Sequence, residues 1–184
     1  ASDVYKRQNY ENNLKNFIIK RIFSLYSPNE GFRAGLPWFP QRWFRDELIS
    51  LLFLDNNFDK SKIISFYLEN LEEIWNKNKE ENYILTADTL PLLIINLESK
   101  IIEENKKFLL SLLKKWENLF NIYQGNLPPK STWMDTLERK RAIEIDFLYY
   151  LSLLKLGLIK EAKKFKIFIK NKIFTNSYPQ DEFL

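Results

Sequence analysis

The sequence predicts an all-α protein built from consecutive antiparallel helical pairs. Three observations carry that expectation. Apolar residues recur at i, i+3 and i+4 in one stretch after another, with turn signals between them. The 184 residues include only four glycines at 45% hydrophobic content, which disfavours a turn-dense β architecture. No segment shows a strand pattern that competes with the helical one. The length suits one domain with a real core.

About seven helices follow in order. Leu14, Phe17, Ile18, Ile22 and Leu25 form the apolar stripe of the first. "SPNEGFRAGLPWFPQ" breaks it with proline and glycine. The second runs from Arg45 to about Asn56. Asp59 can cap the third, carried by Ile63, Tyr67, Leu71, Ile74 and Trp75. "NKNKEEN" is a solvated turn. Thr86 can cap a fourth helix through "ADTLPLLIINLESKI", with Pro91 near its first turn, where a missing N–H is tolerated. Phe108, Leu109, Leu112, Leu113, Trp116 and Phe120 mark the fifth, and "YQGNLPPKSTW" is a long irregular loop. Ile143 to Leu156 is apolar on nearly all sides and is expected to be buried. Gly157 ends it, and Leu158 to about Phe174 forms a seventh, lysine-rich outside. Long loops alternate with short ones, and the chemistry-bearing residues fall in the long loops. Helical pairs with functional loops at one end suggest an α/α toroid or a large bundle.

Composition removes several kinds of chemistry. Without cysteine there is no disulfide framework and no thiolate metal site. Without histidine there is no Ser-His or Cys-His triad and no imidazole metal ligand. Catalysis therefore rests on carboxylates, lysine, tyrosine or hydroxyls, and neither a metal nor a cofactor is expected. The net charge of +4 is mild, and the 28 basic residues are scattered rather than gathered in a block, which argues against nucleic acid as a partner. No apolar run approaches the length of a membrane span, so no membrane partner is expected. The oligomeric state cannot be read.

Three constellations can carry chemistry. In "AGLPWFPQRWFRDE", Trp38, Phe39 and Trp43 bring large flat surfaces to a loop. Arg45 supplies a planar fork of donors there and Asp46 a pure acceptor. Read alone, the same residues serve equally as a helix cap, a local ion pair and a core seal. "TADT" places Asp88 at a helix start, where a plain first-turn acid is favoured by the helix dipole. "STWMDTLERKRAIEIDF" holds Trp133 and Asp135 at the end of the irregular loop, then Glu144 and Asp146 within an apolar helix. Buried carboxylates are costly unless paired or used, and burial raises the pKa toward that of a general acid. Glu144 and Asp146 lie roughly 200° apart around a helix and cannot share a face. One can line a cavity while the other meets solvent or a neighbouring helix. Acids and tryptophans together at loop–helix junctions fit sugar chemistry. Sugar rings offer C–H faces for stacking and hydroxyls for bidentate hydrogen bonds, and glycosidic cleavage needs an acid and a base.

At these residues the sequence resembles the C-terminal glucosidase domain of glycogen debranching enzymes, the amylo-α-1,6-glucosidase family. That family carries patterns like "AGxPWFxxxWGRDT", "SADA", "TWMDA" and "VEINALWYNAL". Here they stand in the same order as "AGLPWFPQRWFRDE", "TADT", "STWMD" and "IEIDFLYYLSLL", over roughly Phe32 to Leu154. Phe44 stands in place of the usual Gly, Glu47 in place of Thr and Asp146 in place of Asn, and the connection from Asp135 to Glu144 is short. The resemblance implies a toroid of six helical hairpins and inverting hydrolysis of an α-1,6-linked glucose stub on glycogen or another α-glucan. It implies Asp135 as the general acid, Arg45 and Asp46 as hydroxyl clamps, and Trp38, Trp43 and Trp133 as subsite walls. Asp88 and Glu144 would line the same site, and the general base would be a later Glu beyond these residues. A cytoplasmic location goes with this expectation. A glucoamylase- or trehalase-like toroid enzyme and a non-catalytic helical binding module remain the alternatives.

The ends carry an expectation of their own. "DVYKRQ" back-translates as GAT-GTG-TAT-AAG-AGA-CAG, the end sequence of a common sequencing transposon. Residues 1–8 are accordingly expected to be adapter read-through, and 9–184 part of a longer toroid domain. Such a piece would release no glucose by itself and would expose apolar surface where further hairpins pack.

Overall fold

The computed structural model describes residues 12–14, 16–18, 20–21, 24–27, 31–35, 39–54, 58–76, 86–125, 127, 139–175, 178–179 and 182–183. At 34–35, 39–42, 72, 74–76, 139–140, 172–175, 178–179 and 182–183 that description is of the backbone alone. The described residues are mostly helical, as an all-α fold requires. After helical residues between 12 and 24, the helices are α1 (Phe44–Phe53), α2 (Ser61–Asn76), α3 (Thr89–Asn96), α4 (Ser99–Leu119), α5 (Ile143–Lys155) and α6 (Ile159–Ile173).

These helices pair as three antiparallel hairpins. In α1/α2, Tyr67 donates its hydroxyl to Glu47 at 2.6 Å, and the Phe44 and Tyr67 rings meet edge-on at 5.1 Å. Lys60, just before α2, donates to the Leu51 carbonyl near the end of α1. In α3/α4, Trp116 near the end of α4 donates its indole N–H to the Ala87 carbonyl just ahead of α3, at 2.8 Å. In α5/α6, Tyr149 and Phe165 pack edge-on at 4.6 Å.

α1, α3 and α5 form one row with α3 in the middle. Asn96 donates to the Leu48 carbonyl of α1 at 2.9 Å, and Ser152 of α5 donates to the Pro91 carbonyl at 3.2 Å. Every residue of α3 from Thr89 to Ile94 is buried. The two flanking helices each leave an apolar stripe exposed: Ile49, Leu52 and Phe53 on α1, and Phe147, Leu151 and Leu154 on α5. The expectation that Ile143 to Leu156 is buried all round is therefore corrected. Only the faces of α5 toward α3, α4 and α6 are covered. Leu14, Phe17 and Ile18 are likewise about half exposed rather than seated in the core.

Two further boundaries differ from the sequence reading. The expected fourth helix breaks at Leu97 and Glu98, both extended, so that one 21-residue helix begins at Ser99. Thr86 does not cap α3 with its side chain. It opens a tight turn, with the Thr89 N–H donating to the Thr86 carbonyl at 3.1 Å, and its hydroxyl donates to Asp88. Other stop and start signals act as expected. Asp59 accepts the Ser61 N–H at 2.9 Å. Gly157, at φ 74°, closes α5 in a Schellman motif, with Gly157 N–H donating to Leu154 and Leu158 N–H to Leu153.

Short strands occupy the loops, where none was expected. β1 (Tyr26–Ser27), β2 (Gly31–Gly35) and β3 (Phe39–Arg42) make an antiparallel sheet, and β3 feeds directly into α1. β4 (Arg139–Arg141) leads into α5 and pairs with β7 (Glu182–Phe183), while β5 (Phe174–Thr175) pairs with β6 (Tyr178–Pro179). These are two to five residues long and are set by tertiary pairing rather than by alternation.

Candidate functional site

The three helices of the central row each begin with chemistry-bearing residues. Trp43 is the N-cap residue of α1, Arg45 and Asp46 lie in its first turn, Asp88 is the N-cap residue of α3, and Glu144 lies in the first turn of α5. None of the three N-cap side chains bonds its own helix. Asp46, in the first turn of α1, places its carboxylate where the helix dipole favours an acid.

Arg45 joins several of these groups. Its guanidinium lies 5.8 Å from the Trp43 ring centroid and 3.5 Å from the Asp46 carboxylate. The Arg45 side chain is only 13% exposed and that of Asp46 39% exposed, so the cation is largely withdrawn from solvent while its partner reaches it.

Asp88 is the deepest acid of the group, 3% exposed. Burial raises its pKa from 3.8 to about 6. The Thr86 hydroxyl and the Arg45 charge oppose that shift, and the Glu144 charge adds to it. Asp88 thus lies within the electrostatic reach of both neighbouring helix mouths. The structure brings together Arg45, Asp88 and Glu144 from three separate sequence segments, with Trp43 and Asp46 attached through Arg45. Trp38, Trp133 and Asp135 lie outside the described residues.

A group with this environment makes stability depend on pH. Below about pH 4 Asp88 is protonated in both states. Between there and its folded value the native state holds a proton the unfolded chain has lost, so stability falls as pH rises. The expected loss is roughly 3 kcal/mol, complete above pH 6. Asp88→Asn should remove that component. Urea midpoints measured across pH 4–8 check it, and parallel profiles for the two proteins would contradict it.

Asp146 takes the other of the two roles open to the acids of α5. It is 2% exposed and forms a bidentate pair with Arg141, Nε to Oδ2 at 2.8 Å and Nη2 to Oδ1 at 3.1 Å. Arg141 also donates to the Ile122 carbonyl at 2.9 Å and lies 4.8 Å over the Phe168 ring. Asp146 is accordingly a paired structural acid, while Glu144 is half-buried on the Asp88 side. A shallow recess between Asn121, Gly125, Leu127 and Ala142 borders this pair, away from Arg45 and Asp88.

Two residues to which the sequence assigns no role matter here. Arg141 could have been found as a cation five residues before a buried acid. Glu47 could have been found because it shares the buried face of α1 with Phe44, Leu48 and Leu51. Phe44 itself is fully buried against Phe66 and Tyr67, so the bulk at that position fills core.

Chemically, the group offers a planar cation, an acid that titrates near neutrality, a second acid and an indole. That set can hold polyhydroxyl groups by paired donors and acceptors. Among the described residues no cluster of acids could hold a metal ion, and no helix is long and apolar enough to cross a membrane. No protein-family model matches the chain, and no curated protein or solved structure matches it.

Proposed function

We propose that this chain supplies the sugar-binding half of a glycoside hydrolase that removes α-1,6-linked glucose stubs from glycogen or limit dextrin by inverting hydrolysis. The observation that carries the reading is the setting of Asp88. Arg45 from "AGLPWFPQRWFRDE" and Glu144 from "IEID" both act on the carboxylate of "TADT", so three of the four family-like segments meet at one end of the helix row.

In this reading Arg45 and Asp46 bind adjacent sugar hydroxyls, Asp88 and Glu144 accept from others, and Trp43 closes one side of the ring. Asp135 protonates the leaving oxygen, and a carboxylate later in the protein activates water. Acid and base then lie far enough apart to hold that water between them, which inverts the anomeric centre. The three hairpins correspond to half of a six-hairpin ring. The apolar stripes on α1 and α5, at the two ends of the row, support continuation of the ring on both sides.

The test uses a protein that contains both proposed catalytic carboxylates. Proton NMR of the reaction with limit dextrin should show free β-glucose appearing first, before mutarotation. A panel of isomaltose, maltose and trehalose separates the debranching reading from glucoamylase- and trehalase-like ones. Initial α-glucose, or preference for trehalose, would overturn it.

A further inference from the structure

We infer that Glu47 is a positioning residue that fixes the hairpin forming one wall of the proposed sugar site. The inference rests on the sugar-site reading for what the hairpin does, and on geometry alone for what Glu47 does.

Glu47 lies within α1, one turn after Trp43, and is fully buried. Its Oε1 accepts the backbone N–H of Phe32 at 2.8 Å and its Oε2 accepts the Tyr67 hydroxyl at 2.6 Å. One carboxylate thus ties three elements: α1, strand β2 and helix α2. A hydrogen bond to a charged group is stronger than a neutral one, and leaving a buried carboxylate without its donors is costly. The Phe32 side chain is also gripped, packing on Tyr26 at 4.9 Å and Phe58 at 5.9 Å.

The anchor matters because of what β2 carries. β2 pairs with β3 in the register Arg33 to Arg42 and Gly35 to Phe39. β3 ends at Arg42, next to Trp43, with Arg45 two residues further on. In sequence, Trp38 falls between the two strands. The angle at which β2 meets α1 therefore sets where the hairpin stands relative to the Arg45 guanidinium. Glu47 holds that angle from inside the core and makes no sugar contact itself.

The experiment combines amide hydrogen exchange with isomaltose calorimetry on the 184-residue chain. Glu47→Ala, Glu47→Gln, Tyr67→Phe and, as a control distant from the hairpin, Tyr149→Phe are compared with the parent. Gln keeps an acceptor for Phe32 N–H and can donate to the Tyr67 oxygen. Glu47→Ala should speed exchange in residues 31–35 and 39–42 and weaken isomaltose binding by about tenfold. Tyr67→Phe should do both to a smaller extent, and it keeps the test alive should Glu47→Ala not fold. Glu47→Gln should stay within about threefold of the parent. Tyr149→Phe should lower stability without changing either hairpin exchange or affinity. Unchanged hairpin exchange in both Glu47→Ala and Tyr67→Phe, or acceleration spread evenly along the chain, would overturn the inference. Localised acceleration in the variants of a parent that binds no isomaltose would uphold the positioning and sink the sugar reading.

Discussion

On the proposed debranching reading, Asp135→Asn should cut glucose release from limit dextrin by about a thousandfold in a protein that contains both catalytic carboxylates. The amide retains size and polarity but has no acidic proton to give the leaving oxygen. A general acid typically contributes two to four orders of magnitude, and a natural branch point has a poor leaving group that depends on it. The loss should fall on kcat, with KM little changed, because binding is assigned to Arg45, Asp46, Asp88 and Glu144 instead. A substrate with an activated leaving group, such as a fluoride, should recover much of the rate. Full activity of Asp135→Asn on limit dextrin would remove that residue from the mechanism.

The largest effect on stability is expected at the Arg141–Asp146 pair. Asp146→Ala leaves a guanidinium that is 5% exposed without its carboxylate. Breaking a buried pair by removing one partner costs about 3–5 kcal/mol. Replacing both members by apolar residues, as in Arg141→Met with Asp146→Leu, should recover most of that loss, because neither charge is then left uncompensated. Urea unfolding of the two single variants and the double variant gives the coupling directly. A cost below about 1 kcal/mol for Asp146→Ala would mean that the pair behaves like an exposed one.

How much of this could be read from the residues depends on what each feature is made of. Helices whose apolar face meets one partner declare themselves by spacing alone. Ile63, Tyr67 and Leu71 on α2, and Leu109, Leu112, Leu113 and Trp116 on α4, are buried as their period predicts. Local stop signals also carry over, as Asp59 and Gly157 show, because their geometry is settled within a few residues. The break at Leu97 and Glu98 has no such signal. No glycine or proline marks it, and tertiary packing of α3 against α1 and α5 decides where the chain turns. Exposure of Phe147, Leu151 and Leu154 is invisible for the opposite reason: an apolar residue does not say whether a neighbour exists to cover it.

The site divides along the same line. Residue type and position at helix starts mark Trp43, Arg45, Asp46, Asp88 and Glu144 as candidates, their roles come only from the family resemblance, and the fold places them at neighbouring helix mouths. The separate duties of Glu144 and Asp146 needed the position of Arg141, which enters from β4. Glu47 looked like a mere departure from the family-like pattern. Its meaning lies in contacts to Phe32 and Tyr67, 15 and 20 residues away in sequence.

The central claim is that Arg45, Asp88 and Glu144 share one site and that the site takes a sugar. A carboxyl carbon-13 titration of Asp88 tests both halves at once. The account predicts a midpoint near 6 in the parent, a rise in Arg45→Ala, a fall in Glu144→Gln, and a displacement when isomaltose is added. A midpoint near that of an ordinary aspartate, indifferent to both substitutions and to the sugar, would contradict it.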